Sequence, residues 1–69
     1  MERNAVSSSN IASVGYDSDS QTLEIEFNNG SIYQYFDVGQ NVYNDLINAA
    51  SVGGYLAAHI KGSYRFSKV

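Results

Sequence analysis

Residues 22–36, TLEIEFNNGSIYQYF, restrict the fold more than any other stretch of the chain. Leu23, Ile25 and Phe27 alternate with Glu24 and Glu26, the period-2 pattern of a strand with one face in a core. Asn28-Asn29-Gly30 follows, and then a second β-rich run, Ile32-Tyr33-Gln34-Tyr35-Phe36. An Asn-Gly turn between two alternating runs is the strongest short-range hairpin signal.

Two registers are compatible with this hairpin, and they make opposite predictions. A two-residue Asn29-Gly30 loop pairs Phe27 with Ile32. It places Gln34 among Leu23, Ile25 and Phe27, and sets Tyr33 and Tyr35 opposite Glu26 and Glu24. A three-residue Asn28-Asn29-Gly30 loop, with Gly30 left-handed, pairs Phe27 with Ser31. Leu23, Ile25, Phe27, Tyr33 and Tyr35 then share one face, and Gln34 turns out beside Glu24. Burying an unpaired amide costs roughly 1–3 kcal/mol, and a one-residue slip moves every side chain to the other face. The three-residue loop is the expected register, with Tyr33 and Tyr35 in the core and Ile32 and Phe36 on the less buried face.

Ahead of the hairpin, residues 11–16 (IASVGY) predict a first strand with Ala12, Val14 and Tyr16 on one face. Gly15 marks a bulge or a close approach. Asp17-Ser18-Asp19-Ser20 is turn chemistry. Residues 1–10 are polar and Ser-rich and predict a flexible tail. Beyond Phe36, residues 41–50 carry Val42, Leu46 and Ala49, and Tyr43, Ile47 and Ala50, at helical spacing. Ser51 is placed to cap a second helix over 52–61, with Val52, Leu56 and Ile60 on one stripe and Gly62 just past its end. Residues 63–69 (SYRFSKV) predict a short fourth strand or a docked tail. The expected fold class is α+β: a three-stranded antiparallel β-meander, two helices on one face, and a possible C-terminal strand. Residues 11–69 form one domain.

Length narrows this further. A chain of 69 residues buries only about 60% of its unfolded surface. With no cysteine to form a disulfide or a thiolate metal site, its stability rests on an aromatic and aliphatic core worth roughly 3–5 kcal/mol. No apolar run approaches the roughly 18 residues of a membrane span, and the N-terminus lacks a secretory signal. A cytoplasmic protein without membrane contact is expected. The net charge of −3 is unevenly spread. All seven acids lie at or before Asp45, accompanied only by Arg3, whereas Lys61, Arg65 and Lys68 follow with no acid. Such asymmetry hints at a basic contact surface near the C-terminus, against the plainer reading of three solvated cations on a small domain.

In order and spacing, SSNIASVGYD, TLEIEF, Tyr33-Gln34-Tyr35, VYNDLINAAS and GGYLAAHIKGSY resemble the KTSC domain, a small module named for the C-terminus of some lysyl-tRNA synthetases. The resemblance runs from about Ser8 to Phe66. Gly39 stands where the family's pattern usually has Pro, and Leu56-Ala57 where it usually has Phe-Asn. The resemblance implies no established activity. RNA binding is the usual suggestion for the family.

The residues themselves suggest little reactive chemistry. His59 is the only histidine; a general base needs a partner to orient it, a pairing with one of the many hydroxyls can always be drawn, and the expected reading is a surface or helix-end histidine. Asp17-x-Asp19 begins like a calcium loop, but Thr22 and Asn28 occupy the positions of its Gly and its bidentate Glu. Glu24 and Glu26 read as a solvated face that discourages edge pairing. No catalytic residue, metal or cofactor is expected. The expected function is a non-enzymatic module that binds a protein partner or a second copy of itself. Its surface is expected to comprise Ile32, Phe36, Lys61, Tyr64, Arg65, Phe66 and Lys68. The alternative is RNA or single-stranded nucleic acid bound through the basic-aromatic C-terminal segment.

Overall fold

A computed structural model describes all of residues 1–69. The hairpin is its centre. Strands β3 (Thr22–Phe27) and β4 (Ile32–Tyr35) pair Leu23 with Tyr35, Glu24 with Gln34, Ile25 with Tyr33 and Glu26 with Ile32. The loop is the three-residue one. The Phe27 N–H donates to the Ser31 carbonyl at 2.8 Å, the Gly30 N–H donates to the Phe27 carbonyl at 2.9 Å, and Gly30 has φ 91°. A left-handed third residue fits the right-handed twist of the flanking strands, and glycine enters that region without steric cost.

The sheet has five strands, not three, in the order β1-β2-β3-β4-β5, each antiparallel to its neighbour in sequence. Strand β2 (Ile11–Asp17) pairs with β3 through a bulge between Ile11 and Ser13. The bulge puts Ile11, rather than Ala12, in the core with Val14. Residues 1–10 are not the expected free tail, because β1 (Arg3–Ala5) pairs with β2, Arg3 lying opposite Gly15. Gly15 is the close approach, not the bulge. A Cβ there would sit 2.6 Å from the Glu2 carbonyl oxygen and 2.8 Å from Arg3 Cγ. At the other edge, β5 (Phe66–Lys68) pairs with β4.

Between β4 and β5 lie the helices. Helix α1 (Gln40–Ile47) is shorter than the expected 41–50 and buries Leu46, leaving Ile47 41% exposed. Helix α2 (Val52–Tyr55) is capped by the Ser51 hydroxyl, which accepts from the Gly54 N–H at 3.0 Å. It widens at once into a π-helical turn, Leu56–Ile60, closed by the Lys61 N–H donating to the Leu56 carbonyl at 2.8 Å. The spacing of Val52, Leu56 and Ile60 suits both kinds of turn, and all three are buried.

The helices cover one sheet face. Ile11, Val14, Leu23, Ile25 and Tyr35 meet Val38, Leu46, Val52, Leu56 and Ile60 there in a single core. Tyr16 stacks on Tyr43, ring centroids 4.8 Å apart, and donates its hydroxyl to the Val38 carbonyl. Burial, and secondarily Asp17, pushes the Tyr16 hydroxyl up from its ordinary pKa.

The opposite face is polar but not simply solvated. Glu24, expected in water, is only 7% exposed. It accepts from the Gln34 amide at 2.8 Å and from the Arg3 guanidinium, whose Nε also donates to the Ser13 hydroxyl at 3.0 Å. The Gln34 hydrogen bond, seconded by Arg3, holds the Glu24 carboxyl below the usual carboxylate range, although its burial acts in the other direction. A buried carboxylate must be paired and bonded in this way. Glu26 accepts from Ser13 and lies 3.6 Å from Arg3. The network therefore runs across β1, β2, β3 and β4.

Candidate functional site

Antiparallel pairing of β3, β4 and β5 collects aromatic side chains toward the edge of the helix-covered face. The β5 register sets Phe66 opposite Tyr35 and Lys68 opposite Tyr33. Phe27 meets Tyr33 edge to face, centroids 5.7 Å apart and planes at 85°, and Phe66 lies 5.9 Å from both Tyr33 and Tyr35. The four rings form one connected chain. Its inner member, Tyr35, is buried, Tyr33 is half-buried, and Phe66 is 58% exposed. Burial, with Tyr33 beside it, raises the Tyr35 hydroxyl's pKa.

Above these rings is a cavity of about 410 Å³. The hairpin loop contributes Asn29 and Ser31 to its wall, and the exit of the π-helical turn contributes Lys61 and Gly62. Gly62 has φ 84°, and a Cβ there would meet no atom within 4 Å, so this side is open. The Lys61 ammonium stands 5.9 Å from the Phe27 ring centroid, close enough for attraction to the ring face. The result is an apolar groove with a cation over one wall and hydroxyl and amide groups at one end, the composition of a site that takes an apolar group and fixes it with a few polar contacts.

The surface anticipated from the sequence is divided between two faces. Lys61, Phe66 and Lys68 stand with Tyr33 on the groove side. Ile32, Phe36 and Arg65 belong to the polar face, where Ile32 and Phe36 are half-buried. There Arg65 bonds to Asp37 at 2.8 Å and lies 5.6 Å over the Phe36 ring. Tyr64 is half-buried and packs against the core. Of the four lysines and arginines, Arg3 and Arg65 are paired with acids, whereas Lys61 and Lys68 are not. Sequence reasoning missed the Phe27, Asn29, Ser31 and Gly62 walls. The favoured register already put Phe27 beside Tyr33, but nothing local signalled that the end of the second helix would return over that pair.

His59 sits over Tyr55, ring centroids 4.5 Å apart, with no hydrogen bond to orient it. Asp17 accepts from the Asp19 N–H at 3.1 Å within its turn. No helix is long and apolar enough to cross a membrane.

Comparison with known proteins places this geometry in a family. The KTSC domain matches residues 7–64. A crystal structure of a KTSC domain protein from Yersinia pestis superposes with a TM-score of 0.93 at 39% identity, covering 99% of this chain and 96% of that one. An uncharacterized protein of Stutzerimonas stutzeri is 37% identical over 100% of this chain and 99% of its own length. A lysine–tRNA ligase of Nostoc punctiforme is 43% identical over 59 residues, which make up 86% of this chain. The chain spans only 10% of the length of that ligase. This five-stranded α+β chain belongs to the KTSC domain family.

Proposed function

We propose that this domain is a non-enzymatic interaction module of the cytoplasm, and that the aromatic groove is where it holds a protein partner. One observation carries the reading: Phe66, 58% exposed, stands at the mouth of a cavity of about 410 Å³ whose floor is aromatic and whose Lys61 is unpaired. Exposed aromatics around a preformed concavity are the usual anchors of a protein interface. The test is capture from native extract with the domain as bait, with and without nuclease. A protein retained after nuclease treatment and lost with the double variant Phe66→Ala/Lys61→Ala supports the reading. Retention that ignores both substitutions overturns it.

A second reading has its own observation. Tyr33 and Phe66 lie beside the two unpaired cations, an arrangement that suits a base stacked on a ring with its phosphate near a lysine. Three similar proteins are lysine–tRNA ligases, whose name makes tRNA their substrate. The net charge of −3 and isoelectric point near 4.6 oppose this reading. Salt-sensitive binding of a fluorescent oligonucleotide at micromolar protein would favour it. A protein sedimenting as a monomer at high concentration would exclude self-association.

A further inference from the structure

We propose that strand β5 is a docking edge at which an extended acidic peptide adds a sixth strand, with a large apolar residue beside Phe66 and a carboxylate beside Lys68. The proposal rests on the reading of the groove as a protein-binding site and names the chemistry of the partner.

The backbone supplies the first part. The Phe36 N–H donates to the Arg65 carbonyl and the Val69 N–H to the Ile32 carbonyl, at 2.9 and 2.8 Å. In an antiparallel ladder, alternate residues direct their N–H and C=O to opposite sides. Arg65, Ser67 and Val69 therefore face β4, and the backbone groups of Phe66 and Lys68 face outward. Because β5 ends the sheet, those groups are open to a further strand.

Charge decides which strand. Lys61 and Lys68 make no ion pair, and no acid follows Asp45 in the chain. An edge lysine ordinarily blocks strand pairing. Here it blocks selectively. A second copy paired two-fold about Lys68 would set the two Lys68 side chains directly opposite each other, and one paired two-fold about Ser67 would set each Lys68 opposite Phe66 and leave its charge unneutralised, whereas an acidic segment neutralises Lys68 and reaches the groove side of the sheet. A strand paired through Phe66 and Lys68 places the residues opposite them two apart and on the face that carries the groove. The recognised pattern is then an acid and a large apolar residue separated by one position. Repulsion of the wrong strand and attraction of the right one come from the same lysine.

The experiment uses the intact domain and the fluorescein-labelled peptide Thr-Glu-Thr-Phe-Thr-Glu-Thr-Phe. Anisotropy is expected to show saturable, salt-sensitive binding. Amide exchange at Phe66 and Lys68 should slow in the complex. N-methylation of the peptide amides facing β5 should weaken binding at least about tenfold, whereas methylation of the alternate set leaves it unchanged, because only one edge of the added strand is used. The Lys61→Glu/Lys68→Glu variant should lose about tenfold for this peptide and gain affinity for a peptide with Lys in place of Glu. Equal binding by both methylated peptides overturns strand addition while leaving the groove in use. Absence of peptide binding, in a domain that still captures a nuclease-resistant partner through Phe66, overturns the inference alone. A concentration-dependent dimer that protects Phe66 and Lys68 would make the occupant a second copy and would likewise overturn it.

Discussion

At the scale of single residues, the molecule separates aromatic residues that hold the fold from those available for contact. Tyr35 and Phe66 touch each other, yet their exposures are 3% and 58%. Tyr35→Ala should cost about 3–5 kcal/mol, the range for removing a buried aromatic. For a domain this small that approaches the whole margin. Phe66→Ala should cost no more than about 1 kcal/mol. Urea unfolding followed by fluorescence distinguishes them, and equal losses would show that Phe66 is structural. Glu24 gives a second prediction. Its folded-state pKa is depressed, so its contribution is complete above the unfolded pKa, roughly 4.3. It is lost as pH falls through the lower folded value. Wild type should exceed Glu24→Gln by about 1–2 kcal/mol at neutral pH. Denaturation curves measured from pH 7 to pH 3 should converge.

At the scale of elements, β1 matters more than its three residues suggest. It covers the edge of β2 and brings Arg3 to Glu24. Deleting residues 1–6 leaves a buried carboxylate with one partner fewer and should cost about 2–3 kcal/mol. It should also promote association at high concentration through the bared edge of β2. Chemical denaturation and light scattering check the two effects. The same element shows where the sequence was opaque. The hairpin register was legible because Gln34 needed a polar neighbour and only one pairing supplied it. Strand β1 was not, because three residues in a Ser-rich stretch carry no period, and the role of Arg3 depends on Glu24, distant in sequence. Glu24 was misread for the same reason: its burial comes from partners on β1 and β4. The π-helical turn was invisible because Val52, Leu56 and Ile60 fit an α-helix equally well. The groove was half legible: its aromatic floor follows from the register, and Gly62 marked the helix ending that carries Lys61, but no local pattern announces that this ending returns over Phe27.

At the scale of the whole molecule, charge and topology run in parallel. The acids lie at or before Asp45, largely with the meander, and the unpaired cations lie after it, at the groove. If the groove prefers acidic partners, raising ionic strength should weaken capture while leaving unfolding midpoints little changed, since its lysines join no ion pair. The topology has a kinetic consequence. Strands β1, β2 and β3 each meet the strand next in sequence across a short turn, and such contacts close quickly. Strand β5 is expected to pair last, because the helical segment separates it from β4 and closing that longer loop costs more entropy. The last zipper to close is then the first to reopen. A partner arriving at β5 would meet a strand that opens ahead of the central sheet, and by binding there it would lengthen that strand's lifetime without altering the rest of the fold.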